Sequence, residues 1–362
     1  MAIPFNEKEL IPQGKEAAIP GAFPEVTVFD LPCTSQENCR RTFQQKPEWL
    51  MCWHDYQMFN PRCYIDNVCR GLVDEHKKMD PSEYGGIDMF GLPWEYHPSS
   101  RGSMIPNGFQ LFDDCNDWKD YVKFPNFDEW DWETSAAENN STYLARGRFS
   151  LANITTGWFE RLISFMGFED AAVAMVDEDQ EDAVADLFMA LSDCYCDLID
   201  HFHKWYPNLD GFYIHDDWGT ALQPFFSFDA AHDLIVPAMR KVTNHIHELG
   251  MFAELHSCGN HGAVQLPNII EAGWDAWCPQ TLNDIPMLYE KYGDKITLSR
   301  ELPNPEGASE EEQREMARSY VQKYCTTPGK AVKLQISDEM KLANDAFWEE
   351  LYKESRKAFA AW

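Results

Sequence analysis

Positive charge is what this sequence has least of. Its 362 residues carry 30 Lys and Arg against 60 Asp and Glu, a formal net charge of −30. Such a chain repels phosphate backbones and anionic bilayers, so nucleic acid and membrane surfaces are poor partners. It also disfavours polyanionic small molecules unless arginines are gathered locally. No apolar run approaches the roughly 20 residues needed to span a bilayer. The start, MAIPFNEKELIPQG, has neither the basic residues nor the apolar stretch of a signal peptide, so a cytoplasmic protein is expected. There is no internal repeat, low-complexity tract or long flexible linker. The 11 cysteines are scattered and odd in number, and read as reduced thiols rather than a disulfide framework.

Hydrophobic residues, by contrast, make up 44% of the chain and aromatics alone 14%. That composition excludes disorder, and the length suits one large α/β domain. Residues 1–34 read as an N-terminal arm. Residues 92–140, rich in Trp, Pro, Asp and Asn, read as an irregular insertion or lid. From about residue 141, short apolar runs alternate with longer amphipathic ones, the pattern of βα units. Eight strands are expected: Leu50–Trp53, Ile87–Phe90, Tyr143–Phe149, Phe212–Asp216, Met251–His256, Ala276–Cys278, Ile296–Arg300 and Val332–Ile336. Asp179–Trp205 and Asp229–Leu249 read as long helices, the second ending on Gly250. The expected fold is an α/β (β/α)8 TIM barrel, with residues 1–362 as a single domain. An open doubly wound sheet is the alternative, but no GxGxxG follows a strand.

In such a barrel, chemistry gathers at the C-terminal strand ends. The sharpest feature there is His256-x-Cys258, an imidazole and a thiol one residue apart before Gly259. Zinc takes such ligands, usually four in all, so partners must come from other strands. Candidates are Glu254, Asp216, Cys278, Glu301 and Asp338. The bland alternative is a packed thiol beside a hydrogen-bonded histidine. Asp216 and Asp217, neighbours at a strand end, point to opposite sides. One can face a cavity while the other caps a helix. Trp49, Trp53, Tyr56 and Phe59 suit either a pocket for a flat substrate or the core.

The run GFYIHDDWGTALQPFFSFDAAHDLIVPAMRKVTNHIHELGMFAELHSCGN, followed by LPNIIEAGWDAWCPQ, resembles the uroporphyrinogen decarboxylase superfamily. Within it, the closer likeness is to the cobalamin-dependent methyltransferase branch, including methylcobamide:coenzyme M methyltransferases and the methyltransferases of anaerobic O-demethylation. The resemblance is specific over residues 140–300. It implies an α/β barrel with its site at the C-terminal face and a zinc-binding His-x-Cys, matched by His256 and Cys258. Coenzyme M-type members carry a further cysteine ligand after the last strand. Here that region reads AVKLQISDEMKLAND, without cysteine, which leaves Asp338, Glu301 or Cys278 to complete the set. The decarboxylase's arginine-rich N-terminal motif is also missing: ENCRRTFQQKPEWLMCW has only Arg40 and Arg41.

The resemblance thus implies methyl transfer between a small methylated compound and the cobalt of a corrinoid. The corrinoid would ride on a separate protein, because no DxHxxG cobalamin-binding signature is present. Asp216 or Asp217 would orient substrate or move a proton, and Trp53, Tyr213, Trp218 and Gln280 would contact it. Two alternatives stay open. One is a decarboxylase of a smaller carboxylate with Asp216 as acid. The other is a non-catalytic tetrapyrrole- or corrinoid-binding protein.

Overall fold

The computed structural model describes residues 3–17, 24–70, 73–98, 102–335 and 337–362. The fold is α/β and TIM-barrel-like. Seven strands share one sheet: β1 (Tyr56–Met58), β2 (Phe149–Ile154), β3 (Gly211–His215), β4 (Phe252–Ser257), β5 (Ala276–Pro279), β6 (Thr297–Arg300) and β7 (Val332–Leu334). They lie in chain order, β1 to β7, across it. The pairs with an established register are all parallel. The helices used below are α1 (Ser35–Phe43), α2 (Trp158–Met166), α3 (Glu181–Trp205), α4 (Val236–Glu248), α5 (Gly262–Glu271), α6 (Ile285–Tyr292), α7 (Glu310–Tyr324) and α8 (Asp345–Ala360).

The chain divides into two compact units. The first comprises residues 1–57, 146–150 and 275–362, and the second residues 58–145 and 151–274. In the first, β5, β6 and β7 run side by side. Met51 bridges Lys333, and its carbonyl accepts from Leu334 N at 2.8 Å. Four residues on, the Asp55 carbonyl accepts from Phe149 N at 3.2 Å. One short stretch of chain therefore meets both β7 and the start of β2. Arg356 of α8 is fully buried and ties the chain's beginning to this unit. Its guanidinium donates to Glu9, to Glu48 and to the Ile3 carbonyl.

In the second unit, β3 pairs with β2 on one side and β4 on the other. The Ser192 hydroxyl links three helices: it accepts from Trp158 Nε1 and donates to the Ala238 carbonyl, both at 2.9 Å. Gly250 follows α4 with φ +75°, the left-handed turn expected there. A separate antiparallel sheet joins Gly86–Ile87, Pro93–His97 and Gly102–Met104. No helix among the described residues is long and apolar enough to cross a membrane.

Three strand expectations need correction. Ile87–Phe90 is not a strand of the main sheet. Asp88 Oδ1 accepts the amides of Phe90 and Leu92, and Gly91 has φ +83°, so local side-chain bonding makes a turn. The first strand begins at Tyr56 rather than Leu50, because the Asp55 carboxylate captures Cys52 N and closes a turn. The strand expected at Tyr143–Phe149 starts at Phe149. Residues 143–145 coil into a 3-10 turn and Gly147 takes φ +70°. Ile336, the expected end of the last strand, lies outside the described residues.

Candidate metal centre

Strands β3 and β4 run in register, with His215 opposite His256. In a strand, residues two apart share a face. Adjacent parallel strands thus carry His215 and Asp217 beside His256 and Cys258, a two-by-two array at their C-terminal ends. One donor atom from each of the four lies within 4.8 Å of every other. His256 Nε2 stands 3.5 Å from Cys258 Sγ, and His215 Nε2 stands 3.3 Å from Asp217 Oδ1. A tetrahedron with arms of 2.0–2.3 Å has edges of roughly 3.3–3.7 Å. Those two separations match such edges, and two nitrogens, a thiol and a carboxylate suit a tetrahedral divalent ion with a preference for nitrogen and sulfur.

The surroundings fix these donors. His215 Nδ1 makes a short hydrogen bond to Glu160 Oε2, which leaves Nε2 for the cluster. A carboxylate behind a ligating imidazole sets its tautomer and orientation. Asp217 Oδ1 also accepts from Cys258 N at 2.7 Å. The Tyr213 ring lies nearly parallel to His256, 16° apart with centroids at 5.8 Å. His261 is buried, and that burial pushes its imidazole down to about 4, so it is neutral at pH 7.

Glycine brings the two loops together. A Cβ on Gly259, which has φ +101°, would stand 2.3 Å from the Gly219 backbone. Asn260 N donates to the Thr220 carbonyl at 2.7 Å, next to that contact.

Asp216, between two members of the cluster, faces the other way. It is fully buried. Its carboxylate accepts from the amides of Phe159 and Glu160 and from Trp218 Nε1. It therefore caps α2, whose own N-cap, Gly157, has no side chain to do so. Burial, then the nearby Glu160 charge, pushes its pKa up to about 7. The expected proton donor or substrate-orienting group is thus a helix cap. Trp218, expected against substrate, is buried in support of it. Asp217, expected to share that catalytic role, sits in the donor cluster instead.

None of the other expected residues described is in that group of four. Glu254 is wholly buried on β4 and is not one of the four. Cys278, Gln280, Glu301 and Trp53 belong to the first unit. Trp53 packs edge-on against His54 and Trp348 rather than lining an open pocket. Burial, then Glu339, raises the Glu301 carboxyl above its ordinary value. The Asp338 side chain lies outside what the structure describes. Two residues escaped the sequence reading, His215 and Glu160. Aligning the two strand ends by their histidines, HDDWG against HSCG, reveals the first. The second needs the three-dimensional approach of α2.

The chain is similar in fold to a methyltransferase from Methanosarcina mazei. The superposition has a TM-score of 0.56, covers 89% of this chain and 98% of the other, and shows 10% identity. No family model and no curated protein matches the sequence.

Proposed function

We propose that this protein is a corrinoid-dependent methyltransferase. It moves a methyl group between a small methylated compound, with O-methyl aromatics as the leading class, and the cobalt of a corrinoid on a separate protein. The observation that carries the reading is the His215, Asp217, His256, Cys258 array. It adds a second pair to the His-x-Cys that resembles the methyltransferase branch, on a fold shared with a methyltransferase. These four residues would hold zinc. When bound, zinc supplies Lewis acidity to the oxygen or sulfur that carries the methyl group.

The chain's own residues set the conditions for that chemistry. Glu160 keeps the His215 tautomer that presents Nε2. Four protein donors close a zinc site, whereas catalysis needs an open position. Of the four, Asp217 would hold the metal least firmly, because its Oδ1 already accepts from the Cys258 amide. Tyr213 stacks on His256 and limits the imidazole's rotation. Against the decarboxylase alternative stands the placing of Asp216, which is buried and caps α2.

The test is methyl transfer to cobalt(I) cobalamin from a panel of methyl ethers, thiols and amines, followed by the visible spectrum of methylcobalamin. Turnover that disappears in folded His256→Ala supports the reading. Carbon dioxide release without corrinoid, or turnover indifferent to His256→Ala, contradicts it.

A further inference from the structure

A cavity of about 240 Å³ lies in the first unit and is lined by none of the four donor residues. Its apolar wall includes Val26, Val28, Leu50 and Leu351, and its polar wall Glu16, His54, Asp55, Arg146, Arg148 and Trp348. At roughly 30 Å³ per water, it has room for about eight waters or one benzoate-sized molecule.

The hydrogen bonding of that wall is lopsided. Both carboxylates are satisfied. Asp55 accepts from Ser35 Oγ, Trp49 Nε1 and Cys52 N at 2.8–3.1 Å. Glu16 pairs with Arg146 and, at 3.1 Å, with Arg148 Nη2. The donors are in surplus. Among the described residues, Arg148 Nη1 and Trp348 Nε1 are buried without a partner. Arg148 and Trp348 are each only 5% exposed. A buried donor with no acceptor is destabilising, the more so when charged. Burial also lowers the Arg148 pKa, as expected of an under-compensated cation.

We propose that this cavity binds a small monocarboxylate with an apolar body, its carboxylate taken by Arg148 and Trp348. A single negative charge matches the one under-used guanidinium. Glu16 and Asp55 would repel a polyanion. The site is independent of the metal-centre reading and uses none of its residues.

The probe is benzoate, with benzamide as its neutral isostere, titrated calorimetrically against the full-length protein. Saturable benzoate binding is expected, at least tenfold tighter than benzamide. Trp348→Phe keeps the packing and removes one N–H, so it should weaken benzoate roughly fivefold to tenfold. Arg148→Met should weaken it further, and His256→Ala should leave it unchanged. No saturable binding up to about 10 mM by the folded wild-type protein would overturn the proposal and leave a water-filled cavity only. Equal affinity for benzoate and benzamide would also overturn it, as would unchanged binding in folded Trp348→Phe. Loss of binding in His256→Ala would move the ligand to the metal centre.

Discussion

His215 and His256 occupy the same register position on neighbouring parallel strands, and two residues on, the Cys258 amide donates to the Asp217 carboxylate. Strand alternation then requires Asp216, between two donors, to face away. Its carboxylate accordingly caps α2. The same helix sends Glu160 to the far nitrogen of His215. One strand end and one helix start therefore set both the position and the tautomer of a ligand.

That arrangement makes Glu160 a positioning residue. Glu160→Gln should weaken zinc binding by roughly tenfold to a hundredfold, the usual effect of losing a carboxylate behind a ligating histidine. The same substitution in a His215→Ala background should add little. Competition with a chromophoric chelator measures both. Equal effects in the two backgrounds would show that Glu160 does not act through His215.

Gly259 makes the second prediction. Its φ of +101° and its closeness to Gly219 leave no room for a methyl group. Gly259→Ala should separate the two ligand loops. We expect zinc affinity to fall at least tenfold and stability by more than about 1 kcal/mol. Chelator competition and urea unfolding report the two effects. Unchanged zinc affinity would mean that the loop contact does not shape the site.

Much of this was legible in the sequence. Strands β3 to β7 follow from apolar runs bounded by turn residues, and His256-x-Cys258 stands out by residue type alone. The early strands depart from their apolar pattern for a local reason. Asp55 and Asp88 use their carboxylates to bind nearby amides, and such bonds turn apolar stretches that otherwise look extended. His215 was hidden differently. It precedes two aspartates that read as the chemical pair, and the register of β3 on β4 puts the histidine and the second aspartate together beside His256 and Cys258.

Arg161 carries the third prediction. It is wholly buried, with Asp66 and Asp88 each 2.7 Å from its guanidinium. Arg161→Met leaves two carboxylates buried without their cation, which costs roughly 3–5 kcal/mol. Urea unfolding measures the loss. A change under about 1 kcal/mol would mean that the carboxylates find other compensation.

Glu75 gives the pH dependence. Burial pushes its carboxyl up, but hydrogen bonds from Arg62 and Asn139 outweigh this and bring it down to about 2 from 4.5. The unfolded chain therefore binds more protons between those two values. Stability from this group is present above about pH 4.5 and fades as pH falls toward 2. It amounts to about 3 kcal/mol at most. Thermal unfolding of Glu75→Gln should show a flatter acid limb than wild type. Parallel limbs would contradict the assignment.

The four-donor metal site is tested most directly by the zinc content of the purified protein, measured by elemental analysis beside single variants. About one zinc per chain is expected, retained in Glu301→Gln and lost or strongly reduced in His215→Ala, His256→Ala and Cys258→Ser. A wild-type protein that takes up no zinc under reducing conditions, or His215→Ala protein that keeps a full complement, would contradict it.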